Sequence, residues 1–81
     1  MSFYHPWKDR HPSVAHFERC FEYEHLPEDL RRISKPCAEL AFTLLSLLSD
    51  GPELSTALRK LREAKDCAVL QAVIDRDGAT V

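Results

Sequence analysis

Seven apolar residues, Leu26, Leu30, Ile33, Cys37, Leu40, Leu44 and Leu47, recur at steps of four and three through the middle of the chain. That is the period of one helix face, and it runs through Pro36 without a change of phase. Two helices meeting at the proline would reset the phase. The pattern therefore predicts a single helix over residues 27–49. Pro27 starts it, where a missing N–H is harmless, and Glu28 and Asp29 lie against the positive end of its dipole. A bend is expected where Pro36 removes one backbone bond.

Asp50-Gly51-Pro52 reads as the stop, with glycine supplying a left-handed residue and proline restarting a helix over 52–75. Leu54, Leu58, Leu61, Ala64, Ala68 and Ala72 form its expected inner stripe, and Gly78 lies past its end. So short a link predicts an antiparallel hairpin. Upstream, His5-Pro6 and His11-Pro12 predict an extended arm over 1–12. Ser13 then caps a short helix carrying Val14, Phe17 and Phe21, fading near Tyr23. With two glycines in the chain and no sustained period-two run, the fold class is all-α. Its parts are the arm, a helical hairpin domain at 13–78 and a tail at 79–81.

A chain of 81 residues is one domain at most, marginal as a monomer unless stapled. Its three cysteines, Cys20, Cys37 and Cys67, are odd in number and form no C-x-x-C pair. They read as small buried apolar residues or as free thiols in a reducing cytosol. Late in the last helix, Cys67, Leu70 and Ile74 lie opposite Ala68 and Ala72, with Val69 and Val73 between. A helix apolar nearly all round is buried on every side, and one other long helix cannot cover it. Oligomerisation is expected. The alternative is that the first helix and Trp7 cover these faces within one chain.

A formal net charge of -2 argues against a general nucleic-acid coat, so no duplex partner is expected. No segment is apolar enough to span a bilayer, and no signal peptide is visible, so no membrane partner is expected. His5, His11, His16 and His25 with Cys20 invite a metal reading, but the four firm spacings of a zinc site are missing. Neither metal nor cofactor is expected. A His16–Cys20 nucleophile would need an orienting group and an oxyanion site that the sequence does not suggest, so catalysis is not expected. The cations of the two long helices read as solvated faces, except Lys65. That residue intrudes on the inner stripe, where a long cation either snorkels or meets an anion.

The segment Phe21-Glu22-Tyr23-Glu24-His25-Leu26-Pro27 is the functional candidate. It sets a tyrosine and a histidine in a connection just before Arg31, Arg32 and Lys35. Aromatic rings stack bases, and Lys or Arg hold phosphates. Equally, Tyr23 can simply pack the first helix on the second.

Two stretches, HPSVAHFERCFEYEHLPEDLRRISKPCAELA and DGPELSTALRKLREAKDCAV, resemble the phage proteins that blunt bacterial cyclic-oligonucleotide immunity. These are the cyclic-nucleotide sponges of anti-CBASS type, related to a hairpin domain in Thoeris counter-defence proteins. The likeness spans roughly residues 11–74 and is carried by FEYEHLP, SKP and ALRKLREAKD. It implies compact hexamers that sequester cyclic dinucleotides, and in some members cyclic trinucleotides, without cleaving them, in the host cytoplasm. It further implies that Tyr23 stacks on a base and Lys35 lies near the phosphates. By their own position and charge, and not by the resemblance, His25, Arg31 and Lys65 are further ligand-binding candidates. Arg76 is the nearest match to an arginine that serves trinucleotides in the family, where the alignment slips. The arm matches nothing in the family. The competing reading is an oligomeric helical adaptor for a protein partner.

Overall fold

The computed structural model describes residues 5–78; residues 1–4 of the expected arm and the expected tail 79–81 lie outside the described residues. Helix α1 (Pro12–Ala15) leads through a turn into a 3₁₀ segment (Glu18–Phe21). Two long helices follow, α2 (Glu28–Leu47) and α3 (Pro52–Arg76). The chain is all-α, with a short first helix and a second long one that continues through Pro36. Asp29 near the start of α2 lies 3.5 Å from Arg76 at the end of α3. At the other end Leu45 and Leu54 share the core, so α2 and α3 run antiparallel.

That core is built at the linked end of the two helices. Trp7, Val14, Phe17 and Phe21 pack on Ala38, Ala41 and Leu45 of α2 and on Leu54 and Leu58 of α3. Trp7 stacks on Phe21 at 5.9 Å between ring centroids and meets Phe42 edge-on at 6.5 Å. The expected arm therefore contributes its tryptophan to the core. A left-handed residue just after it, Asp9 with φ 63°, turns the chain toward the end of α2.

Several local expectations are corrected. The cap of α1 is His11, whose Nδ1 accepts from the Ser13 N–H at 3.1 Å, and not Ser13 itself. The first helix breaks after Ala15 and resumes as 3₁₀. A few residues of helix have little stability of their own, so the burial of Val14, Phe17 and Phe21 dictates their geometry. Gly51 is not a left-handed stop: its φ is 173°, an extended value, and α2 has already ended in the extended Leu48. The left-handed glycine is Gly78, just past α3, with φ 70°.

The inner face of α2 also differs. Leu30, Ser34, Ala38, Ala41 and Leu45 are its buried residues, while Leu40 and Leu47 of the expected stripe are 48 % and 73 % exposed. Small side chains let two helix backbones approach, so the face carrying Ser34, Ala38 and Ala41 meets α3 and the larger leucines flank it. On α3 the inward line runs Leu54, Leu58, Leu61, Lys65 and Val69, while Ala64 and Ala68 are exposed. Cys67 and Leu70 are also exposed, whereas Val69, Val73 and Ile74 are half-buried.

Candidate functional site

Phe21 ends the 3₁₀ segment buried in the core, and the chain then runs exposed and irregular to Pro27. The Leu26 N–H closes a turn onto the Tyr23 carbonyl at 3.0 Å. That turn holds Tyr23 half-buried against the core, where it also walls a cavity of about 480 Å³. The ring thus packs on the core and also faces the cavity. Trp7, Phe21 and Phe42 supply the other aromatic walls, and His25 stands at the margin.

The charge of this cavity is informative. Glu18, Glu22 and Glu24 border it, with no lysine or arginine among the described lining residues. His5 pairs with Glu18 at 3.3 Å. The space suits a flat, neutral ring whose edge N–H groups the carboxylates can accept from. Phosphate charge would have to be met by cations outside it.

Those cations lie in two places. Arg31, Arg32 and Lys35 surround a recess of about 440 Å³ on the exposed face of α2, together with Glu28. Tyr23 lines the aromatic cavity and Lys35 the recess on α2. A second set borders a groove of about 390 Å³ between the connection, α2 and α3, where Arg19, His25, Arg62 and Lys65 converge with Glu22 and Asp66. His25 and Glu22 border both this groove and the aromatic cavity. Arg76 stands apart, 3.5 Å from Asp29 and 3.8 Å from Asp77.

Lys65 settles its own question by doing both things expected of it. Its side chain is 14 % exposed, so the stem is covered, and its Nζ reaches Asp66 at 2.6 Å. The same carboxylate takes Arg62 at 3.6 Å. Beside them lies Ser34, 1 % exposed, whose hydroxyl oxygen has no hydrogen-bond partner among the described residues. A helical serine usually returns its hydroxyl to a carbonyl one turn back. Left unpaired in a buried place it costs about 1–3 kcal/mol. Sequence periodicity missed Ser34, Arg19 and Arg62. The one available signal was a polar residue four positions from both Leu30 and Ala38, on a face otherwise small or apolar.

Other histidines are engaged locally: His11 caps α1, and His16 Nδ1 lies 2.9 Å from the Pro12 carbonyl. Among the described residues no three potential metal-ligating side chains converge. No helix of the described residues is long and apolar enough to cross a membrane. Comparison with protein-family models, with curated proteins and with solved structures finds no match for this chain.

Proposed function

We propose that the protein binds cyclic dinucleotides and holds them intact, as its resemblance to the phage sponges implies. The observation that carries this reading is the position of Tyr23: on the wall of an aromatic cavity, in the connection that leads directly into the cationic first turns of α2. A cyclic dinucleotide has two bases, two phosphates and a near two-fold axis. A pocket between two copies offers it a ring and a cation from each side. Tyr23 stacks on a base, with His25 beside it. Lys35, the residue before Pro36, meets phosphate from the neighbouring copy, and Arg31 adds to the field. Lys65 and Arg76 remain further ligand contacts in this reading. Cyclic trinucleotides fall within the same ligand class. Sequestration needs tight binding and no activated nucleophile, so the protein acts without catalysis and without a cofactor.

The assembly is a homo-oligomer, a hexamer by the same resemblance. Leu47 and Leu70 are 73 % and 60 % exposed, and Leu40 and Leu48 are each about half exposed, on a chain of marginal size. The same leucines favour the second reading, an oligomeric adaptor that docks a protein. A calorimetric screen against cyclic di- and trinucleotides separates the two. Saturable binding, with the original compound returned by chromatography after heat denaturation, supports sequestration. Linear product growing with protein and time would make the protein an enzyme, and no binding by any cyclic compound would leave the adaptor.

A further inference from the structure

We infer that the groove between Ser34 of α2 and Lys65 of α3 is a phosphate-binding site contained within one chain. It shares Lys65 with the nucleotide reading but does not rest on Tyr23 or Lys35. Three observations converge on it. First, Lys65 occupies an inward position of α3, its side chain 14 % exposed, where the register of Leu54, Leu58 and Leu61 would otherwise set an apolar residue. Second, Lys65 and Arg62 share the single carboxylate of Asp66, at 2.6 and 3.6 Å. An ammonium has three N–H donors and a guanidinium five, so two cations on one carboxylate keep donors to spare. Third, the 1 % exposed Ser34 on the same groove keeps an unpartnered hydroxyl. The Ser34 hydroxyl is left incomplete by the fold, and an oxyanion would complete it while taking the spare donors of Lys65 and Arg62.

The charge agrees. Arg19, Arg62 and Lys65 stand against Glu22 and Asp66, an excess of one positive charge before His25 is counted. The volume of about 390 Å³ accepts a phosphate with its water or a phosphodiester with part of its sugar. On binding, Lys65 and Arg62 turn from Asp66 to the ligand oxygens, and a small shift of α2 against α3 brings the Ser34 hydroxyl into donating reach. The ligand is a phosphate group, free or esterified.

The full chain is titrated with inorganic phosphate, and separately with a linear dinucleotide, while backbone amide resonances are followed by NMR. Saturable shifts centred on Ser34, Arg62 and Lys65 are expected in at least one titration; phosphate alone identifies a free-anion site, the dinucleotide alone an esterified one. Lys65→Met keeps the buried stem and removes the charge, and should weaken binding at least tenfold. Ser34→Ala should weaken it severalfold without lowering the melting temperature, since only an unpaired hydroxyl is lost. Lys60→Met, on the exposed side of α3, should leave phosphate binding unchanged. Shifts that never saturate, or equal affinity in the wild type, Lys65→Met and Ser34→Ala, would overturn the site. Either result leaves the Tyr23 pocket to be judged by its own variants.

Discussion

Arg10 meets Asp50 at 2.6 Å, joining the segment before α1 to the link between α2 and α3. Its remaining guanidinium nitrogens donate to the carbonyls of Leu45 and Leu48, each at 2.8 Å. The last turn of α2 has no basic residue of its own, and beyond Leu44, which accepts from the Leu48 N–H at 3.0 Å, its carbonyls lie past the reach of the helix's own N–H groups. Arg10 supplies both the cation and the N–H groups from outside. Arg10→Ala should therefore cost about 1–3 kcal/mol through unpaired carbonyls, read as a lower melting temperature.

Asp50 carries the pH dependence of this junction. The His11 N–H, at 2.7 Å, is the larger influence and the Arg10 bond the next, and together they hold its carboxyl below the usual range. A carboxylate lowered in the folded state stabilises fully above its unfolded value. That contribution disappears as pH falls through the lowered folded value. Melting temperature should accordingly decline on the acid side, and Asp50→Asn should be less stable near neutrality and show a flatter acid limb.

Trp7 is the chain's one tryptophan and is 4 % exposed. Its fluorescence should be blue-shifted in the native state and move to the red on unfolding, reporting the docking of the N-terminal segment. Trp7→Ala removes a ring packed on Phe21 and Phe42 and should cost about 3–5 kcal/mol, a large fraction of a small domain's stability. A tryptophan emission already red in the folded protein would contradict the packing described.

The two long helices were legible because their periodicity and end signals, Glu28 and Asp29 at one start and Pro52 at the other, agree. The face they present to each other was not. Hydropathy weights leucines, whereas a close helix contact selects the small side chains Ser34, Ala38 and Ala41, which leaves Leu40 and Leu47 outward. The roles of Trp7 and Arg10 depend on a turn at Asp9 that no periodicity records. At the site, Tyr23 and His25 stood out by type and position. Ser34 acquires meaning only beside Lys65, thirty-one residues away in sequence, a proximity that comes from the antiparallel packing.

Leu70, 60 % exposed in one chain, tests the assembly. Leu70→Glu should leave the single-chain fold intact, because the side chain touches little within it. In an oligomer it would bury a charge and dissociate the copies, and a lower melting temperature would follow by mass action. Light scattering on wild type and variant checks this. A wild-type chain that is a stable folded monomer at micromolar concentration would rule out the oligomer.

The most direct measurement of ligand sequestration is calorimetric affinity for a cyclic dinucleotide on wild type, Tyr23→Ala, Lys35→Ala and Lys35→Glu, with oligomer size and melting temperature measured on the same samples. Tyr23→Ala removes a stacking surface and should lose about 1–3 kcal/mol of binding per base. Lys35→Glu should lose more than Lys35→Ala, since it adds repulsion to the loss of neutralisation. Lost affinity in all three variants with size unchanged is the expected result. Unaltered affinity in all three, or a Tyr23→Ala protein that melts lower yet binds as well per folded molecule, would contradict it and leave Tyr23 as packing alone.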